Sequence, residues 1–173
     1  MINADLMYEN LMNFKFGGLD NPDLYIDETI RRMCYSHRRL YAQLAEALIM
    51  QGEDNKALQV LDKCEKGISS ELLPHDVLGY SQILASCYVQ LGQKEKALAI
   101  CEQMARSYLT EMQWYLSMDD MHLALLKEEM KTAITYLYKG VFPVMEDAGM
   151  DEETYKSMIS VFEDMYVKFS NRV

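Results

Sequence analysis

The chain has 173 residues, half of them hydrophobic and a quarter charged, with 27 acidic against 17 basic side chains and a formal charge of −10. That length suits a single compact domain with a real core, and the composition is that of an ordinary globular protein, which excludes wholesale disorder. The negative field repels phosphate backbones and anionic headgroups, so nucleic acid is not an expected partner; charges such as Glu46, Asp62 and Glu102 interrupt every apolar window, so direct membrane insertion is not expected either.

Three prolines and eight glycines punctuate the chain, and strand-period alternation is scarce, so the predicted class is all-α. Helical periodicity predicts helices over about 3–13, 24–51, 54–67, 76–91, 93–117, 119–147 and 151–170, six or seven in all. The start, "MINADLMYEN", lacks the basic patch, apolar run and small-residue cleavage site of a secretory signal. That fits either a cytoplasmic protein or a piece of something larger.

After the first helix comes a polar interruption, "NFKFGGLDNPDLYIDE", residues 13–28. Gly17 and Gly18 end the helix, Asn21 and Pro22 turn the chain, and Phe16, Leu24, Tyr25 and Ile26 are expected to pack back as a cap. The functional alternative is that Lys15, Asn21, Asp23, Tyr25 and Asp27 line a groove for a sugar or a polypeptide. The following helix carries Arg31, Arg32, His37, Arg38 and Arg39. Spacings of seven put Arg31 with Arg38 and Arg32 with Arg39 on adjoining lines, a basic stripe suited to a phosphate-bearing lipid-linked sugar or an acidic neighbour. Against it, Asp27 and Glu28 stand four residues before Arg31 and Arg32, the favourable orientation for intrahelical pairs on a solvated face.

A repeat follows. "AEALIMQGEDNKALQVLDKC" (45–64) aligns with "ASCYVQLGQKEKALAICEQM" (85–104): Ala45 with Ala85, Gly52 with Gly92, and Lys56-Ala57-Leu58 with Lys96-Ala97-Leu98, each pair 40 positions apart. Each unit reads as a helix ending at a glycine, a short turn and a second helix. The glycine supplies the left-handed cap that reverses the chain, and the alanines let helices approach closely. Leu48, Tyr88, Leu61 and Cys101 are the expected filling. "GISSELLPHD" (67–76) is a connector. A third pair is degenerate, with Ala133 in the place of Ala97 and Glu128 in that of the turn glycine, so 118–148 is either two helices or one long one.

Cys34, Cys64, Cys87 and Cys101 show no C-x-x-C and no neighbouring histidine pair, so they read as buried hydrophobes. "MDDMH" sets Asp119 and His122 three apart, as two metal ligands without a third or, more simply, with Asp119 as an N-cap. In the last helix Tyr155, Met158, Ile159, Phe162, Met165, Tyr166 and Phe169 share a face, with Asp151 as N-cap. Phosphate-loop, zinc-protease, nucleophile-elbow and dinucleotide motifs are absent. No catalytic residue, metal ligand or cofactor is assigned. An enzyme with its site in "KFGGLDNPD" is the least favoured reading.

The paired helices, turn glycines and early second-helix alanines resemble the tetratricopeptide repeat, which implies a short right-handed solenoid with a concave binding surface. On that reading residues 1–39 are an N-terminal cap and first long helix, 40–67 and 76–117 are repeat units, and 118–173 hold a degenerate repeat and a capping helix. "KFGGLDNPDLYIDE", "RRMCYSHRR", "YAQLAEAL" and the terminal "FSNR" further resemble the soluble C-terminal region of a family of multi-spanning membrane proteins from Bacteroidetes-type bacteria, itself similar to protein O-mannosyltransferases.

The resemblance implies a non-catalytic interaction domain at the periplasmic face of the inner membrane, belonging to a glycosyltransferase-like parent. Its partner would be a protein or peptide, with the membrane-embedded part of its own parent chain as first candidate. The partner-binding residues on this view are Lys15, Asn21, Asp23, Tyr25, Arg31, Arg32, Arg38 and Arg39. The rival is a freestanding cytoplasmic repeat adaptor that binds a peptide. Its carboxylate-clamp version is disfavoured, because Ala42, Glu46, Gln82 and Ser86 occupy the clamp positions.

Overall fold

A computed structural model of the chain describes residues 3–172, which are helical with no β-strand among them. The chain divides into two compact units, Met1–Ile100 and Cys101–Val173. Among the described residues no helix is long and apolar enough to cross a membrane.

The first unit holds α1 (Ala4–Asn13), α2 (Glu28–Met50), α3 (Asp54–Gly67), α4 (Ser81–Gln90) and the start of α5 (Lys94–Leu116). α2 is its centre, packing on α3, α4 and α1. The face that achieves this is Cys34, Tyr41, Ala42, Ala45 and Leu48, all buried, at the three-and-four spacing of an apolar helical stripe. α2 begins four residues later than the periodicity predicts. Asp27, itself extended, accepts a hydrogen bond from the Ile30 N–H at 2.8 Å and so caps the helix, while Ile26 before it is buried outside the helix.

The two corners around Gly52 and Gly92 are built alike. Gly52 N–H donates to Ile49 O and Glu53 N–H to Leu48 O; 40 positions on, Gly92 N–H donates to Val89 O and Gln93 N–H to Tyr88 O. This is the Schellman cap, which needs a left-handed residue at the glycine position, and φ is +76° and +74° there. Leu48, Leu61, Tyr88 and Cys101 are fully buried, as are Ala45, Ala57, Ala85 and Ala97. Where one helix is expected over 76–91, Val77–Gly79 instead form a 3₁₀ turn, Tyr80 sits left-handed at φ 56°, and α4 starts at Ser81.

The second unit contains the rest of α5, then α6 (Asp120–Leu125), α7 (Lys127–Thr135), a π-helical turn (Tyr136–Val141), α8 (Phe142–Asp147) and α9 (Glu152–Ser170). The stretch 118–148 is thus neither one helix nor the two expected. Helix α6 ends at Leu126, whose N–H reaches both His122 O and Leu123 O. The π turn has its cause in Pro143, which offers no N–H to Lys139 O; the ladder widens and Phe142 N–H bonds Leu137 O instead. A further glycine corner at Gly149 carries the same pair of bonds, to Glu146 O and from Met150 to Met145 O. Asp151 then caps α9 through the Glu153 and Thr154 N–H groups. On α9, Phe162 and Phe169 are buried, but Tyr166, placed on the same face by its spacing, is 48% exposed. Arg172 closes the unit: its guanidinium bonds Asp120 at 2.8 Å, Leu116 O at 2.7 Å and Met118 O.

All four cysteines are free and buried. Burial pushes Cys64, Cys87 and Cys101 up to about 12, helped by the charge of Glu65 at Cys64 and of Glu46 at Cys87, and it raises Cys34 as well. Raised thiols stabilise the fold in full below pH 9, where an unfolded thiol also keeps its proton, and that contribution is lost as pH climbs from 9 towards 12. We expect the unfolding free energy from urea titrations to fall between pH 8.5 and 10.5, by on the order of 1 kcal/mol per thiol per pH unit above 9. A Cys64→Ala variant, less stable at neutral pH, should show a shallower alkaline fall. Equal slopes for the two proteins would contradict this.

Candidate functional site

The segment 13–28 folds onto the α2–α3 hairpin by a few strong anchors. Phe16 lies against Tyr41 and Phe14, ring centroids 5.5 and 5.4 Å away, and Phe14 lies over His37 at 4.6 Å. Leu19 O accepts from Ser69 N–H at 2.9 Å, which ties the loop to the 67–76 connector. Helix α1 is held by Tyr41 Oη donating to Leu11 O at 2.7 Å and by Lys63 Nζ donating to Met12 O. Gly17 and Gly18 are both left-handed, and Asn21 turns the chain by accepting from Asp23 N–H at 3.0 Å.

The expected packing-back is therefore correct for Phe16 and Ile26 only. Tyr25 is 87% exposed and Leu24 is at the surface.

Between the end of α1, the glycine loop and the last turns of α3 lies an open cleft of about 620 Å³. Of the predicted site residues only Lys15 lines it; Asn21, Asp23 and Tyr25 lie elsewhere on the exposed loop. Its other charges include Lys63, already bonded to Met12 O, and Asp62, which accepts from Tyr88 Oη at 3.1 Å and Lys96 Nζ at 2.6 Å.

The basic stripe does not exist as a continuous surface. Arg38 is fully buried, with Nη1 and Nη2 donating to Pro74 O at 3.0 Å and Leu73 O at 2.9 Å. Arg39 lies over the Tyr80 ring at 4.2 Å, Arg32 pairs with Glu28 at 3.1 Å, and Arg31 is half-buried. Asp27, expected to pair with Arg31, serves as the cap instead. α2 also presents apolar side chains outward: Ile30 and Met33 near its start and Leu40 further along are exposed, Met33 at 58%.

A buried polar chain lies behind the connector, and it was missed in the sequence. Asp76 N–H donates to Ser81 Oγ at 3.1 Å, Ser81 Oγ meets His75 Nδ1 at 3.1 Å, and His75 Nε2 meets Glu65 Oε2 at 3.2 Å. The Glu65 carboxylate can only accept, so Nε2 carries the proton shared with it, and in the neutral ring Nδ1 then accepts from the Ser81 hydroxyl. Acid, imidazole and hydroxyl in line have the connectivity of a hydrolytic triad. Ser81 is wholly buried and His75 nearly so, however, so no substrate carbonyl reaches the Oγ in this conformation. The chain instead fixes the connector to α3 and α4. Its sequence signal was faint: one of only three histidines, set beside Pro74 and the apolar Leu72 and Leu73.

Asp119 and His122 serve one another. Asp119 accepts from His122 N–H at 2.9 Å and from Nδ1 at 2.8 Å, and these bonds hold its carboxyl below the usual range. Among the described residues no three such side chains cluster as metal ligands. Compared with family models, with curated proteins and with solved structures, the chain matches none.

Proposed function

We propose that the chain is a non-catalytic, tetratricopeptide-like interaction domain that binds a protein partner, and that the partner is the membrane-embedded part of a glycosyltransferase-like parent at the periplasmic face. The observation that carries the repeat reading is the pair of Schellman corners at Gly52 and Gly92, with identical bonds and buried alanines 40 positions apart. Such units bury their apolar faces by stacking and leave an extended surface for a partner. The parent rests on the resemblance of "KFGGLDNPDLYIDE" and its neighbouring segments. The docking face best supported is the exposed set Leu24, Tyr25, Ile30 and Met33, because apolar side chains of this size gathered at one helix start are what partner surfaces provide.

A photo-crosslinking benzoylphenylalanine in place of Met33, with Met50 at the far end of α2 as control, tests both levels in cells of the source organism. Crosslinks from position 33 to a multi-spanning protein in the membrane fraction are the expected result. A discrete soluble partner would support the cytoplasmic adaptor instead, and labelling at 33 no different from that at 50 would sink the interaction reading. The reading frame upstream of the Met1 codon gives an independent check: several apolar spans of roughly 20 residues each are expected there.

A further inference from the structure

We propose that the second unit carries a binding pocket for a free aromatic amino acid, recognised as a zwitterion. The pocket measures about 460 Å³, within the roughly 300–1,000 Å³ of small-molecule sites. Its wall is aromatic. Tyr138, Phe162 and Tyr166 stand nearly parallel, with 12° between the first pair and 19° between the second, at centroid separations of 6.3 and 6.4 Å. Phe162 is buried and braced edge-on by Phe142 at 5.3 Å, whereas Tyr138 and Tyr166 keep 63% and 48% of their surface exposed. Tyr138 stands on the π turn that Pro143 causes, so backbone geometry as well as side-chain packing sets the wall. Ile134 and Thr135 of α7 complete the lining. Rings held in this way offer faces on which another ring gains offset stacking.

The charges select the ligand further. Three lysines elsewhere in this unit are paired with carboxylates one helical turn away: Lys131 with Glu128, Lys156 with Glu152, Lys168 with Asp164. The two charged residues of the pocket, Lys139 and Glu163, have only neutral residues three and four positions to either side. Among the described residues neither has an ion-pair partner, although they bear opposite charges and line one cavity. A hydrocarbon would leave both ions unmatched, a sugar would meet them with neutral hydroxyls only, and the backbone in the middle of a peptide offers only amides. A free amino acid supplies a carboxylate for Lys139, an ammonium for Glu163 and, when aromatic, a ring for the wall. This site is independent of the repeat and membrane-parent readings.

The test is a titration of the ¹⁵N-labelled full chain, followed by amide shifts, with L-phenylalanine, L-phenylalanine amide and N-acetyl-L-phenylalanine. Saturable shifts at residues 134–139 and 162–166 are expected with phenylalanine, and binding about tenfold weaker or less for each blocked derivative, since each loses one charge-assisted contact. Lys139→Gln should abolish the preference for phenylalanine over its amide, and Glu163→Gln that over the acetyl derivative; both are exposed positions at which the fold survives. Equal binding of all three compounds would reduce the pocket to an apolar patch. The absence of any saturable shift with phenylalanine would overturn the proposal outright.

Discussion

Gly67→Ala is expected to destabilise the first unit by about 1–3 kcal/mol, although alanine is by itself the better helix former. Gly67 is the last residue of α3, and a Cβ there would meet Cδ2 and Cε2 of Phe16 at 2.2 and 2.3 Å. Those atoms belong to a rigid ring lodged against Phe14 and Tyr41, and no small rotation clears them. The methyl expels Phe16, and with it goes the main apolar anchor of residues 13–19. Two terms therefore compete: a gain of up to about 1 kcal/mol from helix propensity and a larger loss from the displaced ring. A double-mutant cycle separates them, because in a Phe16→Ala background the clash is gone and Gly67→Ala should become neutral or stabilising. Urea unfolding of the four proteins would show this change of sign. A single Gly67→Ala variant more stable than the parent would mean that Phe16 does not hold the loop.

That contact spans 51 positions, which explains why it was invisible in the sequence. Features that were legible are local ones. Gly52 and Gly92 announce themselves because a Schellman cap is decided within six residues, and Asp119 and Asp151 because an N-cap bonds two or three positions ahead. Asp27 shows the limit of that logic. Its spacing to Arg31 argued for an ion pair inside a helix, and the cap prevailed because it satisfies a backbone N–H that the helix itself cannot. The break at Leu126 and the π turn lay inside a continuous apolar pattern in which only Pro143 gave warning. Aromatic periodicity on α9 was equally ambiguous: the spacing that buries Phe162 and Phe169 leaves Tyr166 48% exposed beside Phe162.

Arg38 was misplaced for a different reason, since the sequence did hold the signal. Cys34, Tyr41, Ala42 and Ala45 stand four before and three, four and seven after it, all on the buried face, and a guanidinium in that row must be bonded to survive there. Among the described residues no carboxylate lies within ion-pair distance of it; it is held by carbonyl dipoles, with Gly79 leaving room for its stem. Arg38→Ala is expected to lose about 3–5 kcal/mol, because it opens a cavity and strips the acceptors of their charged donor. The larger share falls on Leu73 O, since Pro74 O keeps the hydroxyl of Tyr35 at 3.1 Å. Arg38→Lys should lose less, one ammonium being unable to span both carbonyls with the fork of a guanidinium. Charge reversal to Glu should leave the first unit unfolded. Arg39→Glu, at an exposed position with only the Tyr80 stack to lose, should shift stability by about 1 kcal/mol or less. Denaturant titrations of these variants decide between a surface stripe and an internal staple. Comparable small losses at both positions would restore the stripe; a gap of several kcal/mol between neighbours in sequence means that Arg38 ties the connector to the α2 core.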